Sequence, residues 1–390
     1  MKILLVIDRI VTGGAERILV DYYHYLERNG HEPYVFALSG NLSQSKWSEG
    51  LRVTYGSIGD EDNVIKKGFQ QLSLLLKLRK QVKRIRPDGI FSFLEKSNLL
   101  TVLVSAGKTV KVVSVHNVLS IQYTKIRNNF IRGMVYRIIR WAYNRCPKVI
   151  AVSKQVKDDL VANFGVKKEH IHVINNFVDR QDILSKTLEA IDNFEFKKDV
   201  KYVMNVGRFS DQKAQWKLIK AFSLCVQKIS CNVELVLMGA GEYTDRLKQL
   251  SMDLGISNKI HILPFNVNPY KYMAKAHLFV LSSIYEGFPI VLAEISSLRI
   301  PFVGSKKAVP EEMFDDVNVW NESIFKNIML EKDFTTKTHG DEIDLSNLIQ
   351  RGVEDDSFRK KLLDHTKKWE EENYKEKQFY FYDQLLEVVK

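Results

Sequence analysis

The sequence predicts an α/β protein of two doubly wound domains, on three observations. Its 390 residues exceed what one hydrophobic core usually supports, at about 150 residues per domain. Short β-branched runs alternate with amphipathic helical stretches, the pattern of a parallel sheet covered on both faces. The same alternation starts afresh near residue 201.

In the first half, the runs at 2–7, 34–38, 89–93, 110–115 and 149–152 are bounded by Gly, Pro, Lys or Asp and read as buried strands. Residues 15–28 place Ile18, Leu19, Tyr22 and Leu26 on one helical face. In the second half the strands are expected at 201–206, 233–238, 260–263, 278–281 and 301–303. Asp179-Arg180 leads into a polar stretch without apolar periodicity, so the boundary is expected within 180–200, between domains 1–180 and 200–375. Residues 355–390 form a charged helical pattern ending in Phe379, Tyr380, Phe381, Tyr382 and Leu385-Leu386. Its last part, 376–390, is expected to be a helix that crosses back onto the N-terminal domain.

Composition excludes other classes. With 45% hydrophobic and 27% charged residues, 20 Gly and 8 Pro, the chain is neither collagen-like nor disordered. No apolar run approaches the ~20 residues of a membrane span, and the stretch Ile3 to Ile7 runs too soon into Asp8 and Arg9 for a secretory signal, so a cytoplasmic location is expected. Cys146, Cys225 and Cys231 form no Cys-x-x-Cys and suit neither a disulfide framework nor a zinc site. The net charge of +11 is uneven: residues 1–180 carry 29 Lys and Arg against 15 Asp and Glu, and the remainder 29 against 32. Segments 66–86 and 121–148 concentrate the excess and contain no acid, which points to an anionic surface as partner.

In doubly wound sheets ligands bind beyond the carboxyl ends of the strands, so the turns after strands hold the candidate chemistry. Gly13-Gly14 follows the first strand and opens a helix, as either an anion-binding turn or only a tight one; it is no Gly-x-Gly-x-x-Gly fingerprint. Gly239-Ala240-Gly241-Glu242 is equally a turn or a ligand loop. Asn205-Val206-Gly207-Arg208 with Lys213 puts two cations five residues apart after a strand, suited to a pyrophosphate, although two solvated cations would look the same. Glu286-Gly287-Phe288-Pro289-Ile290-Val291-Leu292-Ala293-Glu294 places one carboxylate before a helix and another in its second turn, an arrangement that suits a polyhydroxyl ligand; as isolated charges they would sit on the surface.

Taken together, Gly13-Gly14-Ala15-Glu16-Arg17, Gly207-Arg208 with Lys213, and Glu286-Gly287-Phe288-Pro289 with Glu294 resemble family 4 of the retaining glycosyltransferases, which implies the GT-B architecture, two Rossmann-like domains facing each other across a cleft. Asn175-Asn176-Phe177-Val178-Asp179 resembles that family's interdomain stretch and Ser114-Val115-His116-Asn117 its His loop; the match runs over about residues 1–312. The resemblance implies that Arg208 and Lys213 hold the donor pyrophosphate, Glu294 the ribose hydroxyls and Glu286 the transferred sugar. It places Gly14, Gly207, Gly287, Phe288 and Pro289 around the donor and His116 beside the sugar where charge develops. The first domain then receives the acceptor and the second the nucleotide. The sequence departs from the family at Ala214, where Asn or Gly is common, and at Ser305-Lys306-Lys307-Ala308, in place of a Gly-rich turn. The usual Asn-Gly after Glu311 is missing.

Other strings carry less. Asp60-Glu61-Asp62 spells a metal motif but lies among Gly56, Gly59 and Asn63 with no apolar strand after it, and reads as a solvated loop. The 9 His contain no His-x-x-x-His pair, and Asn41-Leu42-Ser43 is a glycosylation sequon without meaning in a cytoplasmic chain. Residues 121–148 interleave Tyr123, Phe130, Met134, Tyr136, Trp141 and Tyr143 with seven cations, among them Arg132, Arg137 and Arg140. They read as an interfacial helix on an anionic membrane, with a packed structural helix as the alternative and nucleic acid disfavoured. Segment 66–86 offers Leu72, Leu75, Leu76, Val82 and Ile85 as a core face.

The expectation is a retaining, metal-independent glycosyltransferase at the inner face of a bacterial cell membrane. It moves a sugar from a UDP-sugar, a substrate and not a cofactor, to a lipid-linked or membrane-proximal glycan of capsule or lipopolysaccharide biosynthesis. A sugar-nucleotide epimerase of the same fold and a non-catalytic nucleotide-sugar binder are the alternatives.

Overall fold

A computed structural model describes residues 1–10, 13–40, 50–57, 64–313, 319–320, 334–372, 379–380 and 382–384. Asn41-Leu42-Ser43, Asp60-Glu61-Asp62, Phe381 and Leu385-Leu386 lie outside them. The chain divides into two compact units, Met1–Asn176 with Glu376–Lys390, and Phe177–Lys375. The polar stretch 180–200 belongs to the second unit. Asn268 Nδ2 donates to Lys186 O at 2.8 Å and Lys271 Nζ to Ala190 O at 2.5 Å, while the Phe196 ring packs 4.8 Å from Tyr202.

The first unit holds β1 (Lys2–Arg9), β2 (Glu32–Ser39), β3 (Val53–Ser57), β4 (Gly89–Phe93), β5 (Val110–Val115), β6 (Val149–Ala151) and β7 (Ile171–Val173). They form one parallel sheet in the order β3-β2-β1-β4-β5-β6-β7. Its helices are α1 (Gly14–Arg28), α2 (Val64–Ile85), α3 (Glu95–Leu103), α4 (Leu119–Gln122), α5 (Asn129–Asn144) and α6 (Lys154–Phe164). Ile3 to Ile7 are fully buried, as expected of a strand covered on both faces. One cover joins Leu4, Val6, Phe36 and Ile90 to Leu74, Leu78, Val82 and Ile85 of α2. The face of α2 therefore differs from the expected one: Leu72 and Leu76 are exposed and Leu75 only partly buried, because Leu74 and Leu78 take the inward row. The other cover includes Tyr22 of α1, whose ring lies 5.3 Å from Phe91 and 4.9 Å from Tyr382. Phe379 stacks on Tyr25 at 4.3 Å, and the Tyr25 hydroxyl donates to Asp383 at 2.7 Å. The end of the chain thus packs on the first unit through aromatic faces and a hydrogen bond.

The second unit repeats the plan with β8 (Lys201–Val206), β9 (Val233–Met238), β10 (Ile260–Leu263), β11 (Leu278–Leu281), β12 (Phe302–Ser305) and β13 (Val319–Trp320), parallel, in the order β10-β9-β8-β11-β12-β13. Its helices are α7 (Arg180–Lys186), α8 (Gln215–Val226), α9 (Thr244–Asp253), α10 (Tyr270–Met273), α11 (Ile290–Ser297), α12 (Gly340–Glu354) and α13 (Asp356–Glu372). β12 begins at Phe302 and not at Pro301, since proline has no N–H for the ladder; its carbonyl accepts from Phe279 N at 2.9 Å. In each sheet the strand order reverses once, between β1 and β4 and between β8 and β11. Those switch points open a crevice at the carboxyl ends of the strands.

Candidate active site

The second unit gathers most of the expected donor residues at its switch point. β8 ends in Gly207-Arg208, with Arg208 exposed. Gly207 N–H donates to Met238 O and Phe209 N–H to Ala240 O, both at 3.0 Å, which holds the turn after β8 against the turn after β9. A Cβ on Gly239 would stand 2.0 Å from Gly207 O, and one on Gly241 2.1 Å from Phe209 O. These two glycines admit the backbone that carries Arg208, which is the tight-turn reading of Gly239-Ala240-Gly241. The chain then enters α8 through Ala214, at φ 46° and ψ 43°, a left-handed conformation that Gly or Asn adopts more readily.

Two loops are stitched together across the switch point. Lys213 Nζ pairs with Glu286 Oε1 at 2.6 Å. Gln212 Nε2 donates to Tyr285 O at 3.0 Å and Glu286 Oε2 at 3.3 Å; Ser282 Oγ donates to Lys213 O at 2.7 Å. The cation expected on phosphate and the carboxylate expected on sugar thus hold each other. Pro289 immediately precedes α11, and Glu294, in the second turn, is buried and accepts from the Tyr270 hydroxyl at 2.8 Å. Gly287 is buried, and the buried ring of Phe288 lies 5.8 Å from Trp369 of α13, a packing contact that anchors the loop. Gln212 and Tyr270 were not legible as site residues, because each becomes one only through a contact across the sheet.

The first unit gathers a second group beyond β1, β4 and β5. Gly14, exposed, opens α1. Asp8, near the end of β1, accepts from Ser97 N at 2.9 Å and Ser97 Oγ at 2.6 Å, and its carboxyl is raised above the usual range by burial, against those two bonds. His116 is buried, with Nε2 3.0 Å from Ser114 Oγ and its ring 5.8 Å from Phe93. Burial pulls its pKa down to about 4, so the imidazole is neutral at pH 7. Beneath them Asn98 takes a hydrogen bond from Ser92 Oγ at 2.8 Å and donates to Ser114 O at 2.8 Å, which fixes α3 to β4 and β5. Asp8, near the end of β1, and Glu95, just after β4, were not singled out by sequence. The switch-point rule applied to the first sheet would have found them.

Helix α5 is apolar on two sides. Ile139, Ala142 and Tyr143 face the core, whereas Phe130, Ile131, Met134, Ile138 and Trp141 form an exposed stripe about 100° wide. Tyr136 turns inward, with its ring 4.3 Å from Phe164, so the aromatic residues of 121–148 divide between core and surface. Arg137 and Arg140 are exposed beside the stripe, Arg145 lies 4.5 Å over the Trp141 ring, and Arg132 donates to Asn129 Oδ1 at 2.7 Å. Among the described residues no helix is long and apolar enough to cross a membrane.

Residues 12–182 match Glycosyltransferase Family 4, and residues 187–369 match Glycosyl transferases group 1. The N-acetylgalactosamine-N,N'-diacetylbacillosaminyl-diphospho-undecaprenol 4-alpha-N-acetylgalactosaminyltransferase of Campylobacter jejuni is 29% identical over 87% of this chain and 92% of its own. The capsular polysaccharide biosynthesis glycosyltransferase CapH of Staphylococcus aureus is 25% identical over 75% of this chain and 78% of its own. Anabaena HepE, solved with UDP and glucose, superposes over 100% of this chain and 99% of its own, with a TM-score of 0.73 at 19% identity.

Proposed function

The chain belongs to the family 4 glycosyltransferases, with a group 1 glycosyl transferase second half, and from that premise we propose that it transfers a sugar, with retention and without a metal, from a UDP-sugar to a lipid-linked glycan in bacterial cell-surface polysaccharide biosynthesis. Membership as an enzyme of this kind sets aside the epimerase and the non-catalytic binder. The observation that carries the reading is the switch point of the second unit, where the loop bearing Arg208 and Lys213 is stitched to the loop bearing Glu286, which leads into α11 and Glu294.

Arg208 and Lys213 supply positive charge for a diphosphate leaving group, and Glu294 a carboxylate acceptor for a hydroxyl pair. The C1–O bond to phosphate breaks, the acceptor oxygen bonds C1 on the same face, and its proton passes to the departing phosphate oxygen. Both cations stabilise the negative charge that develops there. His116, neutral, presents a hydrogen-bonding nitrogen without repelling positive charge on the sugar. A UDP-sugar accords with HepE, which was solved with UDP and glucose. A lipid-linked acceptor accords with the Campylobacter jejuni relative, whose named acceptor is a diphospho-undecaprenol glycan. The cations and apolar stripe of α5 support a location on the anionic inner face of the membrane.

The test is to incubate the protein with a panel of UDP-sugars and polyprenyl-diphosphate saccharides, with and without EDTA. An α-linked product from an α-linked donor, undiminished by EDTA, is expected. An inverted product, a strict Mg²⁺ or Mn²⁺ requirement, or an epimerised donor without transfer overturns the reading.

A further inference from the structure

The first unit has a polar group that the donor chemistry leaves unused. Glu95 opens α3 at the switch point between β1 and β4, and its Oε1 is shielded from solvent without a hydrogen-bond partner among the described residues. His116 Nδ1 and Gln122 Oε1 are in the same condition. A buried polar atom left unpaired forfeits the hydrogen bond it had with water, so three at the ends of neighbouring segments need an explanation. The backbone supplies an independent observation. Leu94, immediately before Glu95, stands at φ 74° and ψ 157°, a region almost reserved for glycine. The Asn98 network and the Asp8–Ser97 bonds hold the following turn in place, and Leu94 takes up its conformation where the chain enters that turn.

The ligand chemistry follows from the donor set. Besides burial, the charge of Asp8 raises the Glu95 carboxyl and a side-chain hydrogen bond from Gln122 lowers it, and both carboxyls act on Tyr123. Arg9 and Lys96 lie beside Asp8. Two carboxyls repel phosphate, whereas a carboxyl and an amide together accept and donate to alcohols. Adjacent strands are about 4.8 Å apart, so the ends of β1, β4 and β5 span about 10 Å, room for one pyranose with its hydroxyls.

We propose that Glu95, with Gln122, binds hydroxyls of the acceptor saccharide and so selects and orients the sugar to be extended. The assignment rests on the proposed transferase reading. Burial pushes the Glu95 pKa up to about 7, so near neutral pH the group can donate as well as accept.

The experiment compares wild type, Glu95→Gln and Glu95→Ala. The probes are UDP-N-acetylgalactosamine, a polyprenyl-diphosphate N-acetylgalactosamine acceptor, and free methyl α-N-acetylgalactosaminide observed by saturation-transfer NMR. Glu95→Ala is expected to raise the acceptor KM about tenfold or more while leaving UDP affinity and donor hydrolysis within twofold, and Glu95→Gln, which keeps a donor and an acceptor, to recover most of the loss. An unchanged acceptor KM in Glu95→Ala overturns the proposal, as does a rise confined to the donor KM, which would make this a donor-sugar contact. Should wild type transfer to no acceptor, the function reading fails by itself. The free glycoside then decides: a saturation-transfer signal present in wild type and lost in Glu95→Ala upholds saccharide recognition, and no signal or an equal one overturns it.

Discussion

Lys213 Nζ lies 2.6 Å from Glu286 Oε1, and this pair joins the loop after β8 to the loop after β11. Glu286 is buried while Lys213 keeps about a quarter of its side chain exposed. The carboxylate therefore holds the ammonium in one place and lowers the ordering cost of presenting it to a diphosphate. Arg208 has no such tether among the described residues and is exposed.

That contrast separates two substitutions. Arg208→Ala should lower turnover ~100-fold through lost charge stabilisation and leave the melting temperature unchanged. Lys213→Ala should lower turnover similarly and also destabilise the fold by ~1–3 kcal/mol, because the Glu286 carboxylate stays buried without its partner. Steady-state kinetics and thermal unfolding of both variants check this. Wild-type turnover in Arg208→Ala would remove it from the phosphate site.

Glu294 and Glu286 should divide by ligand. Glu294→Ala should weaken UDP binding by ~1.5–3 kcal/mol through lost hydrogen bonds to a hydroxyl pair, whereas Glu286→Ala should spare UDP and impair sugar transfer. Calorimetry with UDP alone distinguishes them, and equal losses would mean that the two roles are not separate.

Two groups in the first unit give opposite pH dependences of stability. His116 has a folded pKa of about 4, below its unfolded value, so its contribution is present above about 6.5 and is lost as pH falls toward 4. Glu95 has a folded pKa of about 7, above its unfolded value, so its contribution is present below about 4.5 and is lost as pH rises through 7. Denaturant titrations from pH 4 to 8 should show His116→Asn flattening the acid side and Glu95→Gln the neutral side. Profiles unchanged in both would contradict these environments.

Ala214 and Ala221 are both fully buried, yet glycine should act differently at each. At Ala214 relief of the left-handed conformation, ~1–2 kcal/mol, offsets a lost methyl of ~0.8 kcal/mol and added chain entropy, so stability should stay within ~1 kcal/mol of wild type. At Ala221, inside α8, the propensity loss and the lost methyl add to ~2 kcal/mol. Urea midpoints of the two variants measure the difference, and equal losses would show that Ala214 carries no backbone strain.

Arg132, Arg137 and Arg140 bear on the membrane. Each cation near an anionic surface contributes ~1 kcal/mol, and the stripe from Phe130 to Trp141 adds buried apolar area. Replacing all three by Glu should abolish co-sedimentation with phosphatidylglycerol liposomes while UDP affinity is kept, and salt should release wild type only partly. Liposome binding retained in the triple variant would leave the stripe without a membrane role.

The sequence by itself determined the doubly wound architecture, since runs such as Ile3 to Ile7 and Leu278 to Leu281 have no stable place except a strand covered on both sides. It also marked the strings proposed to hold the donor, because Gly207-Arg208 and Glu286 to Pro289 are contiguous at strand ends. Short edge strands such as β7 and β13 escaped, as two or three residues show no period. Only the tertiary structure decided what non-local contact decides: that Lys213 is held by Glu286, 73 positions away, that Glu294 takes the Tyr270 hydroxyl, that Leu72 and Leu76 face outward, and that Asp8, Glu95 and His116 share one end of a sheet. A strand ordering that reverses between β1 and β4 brings such residues together, and local sequence carries no record of that ordering because it is set by which crossovers bury the most apolar surface.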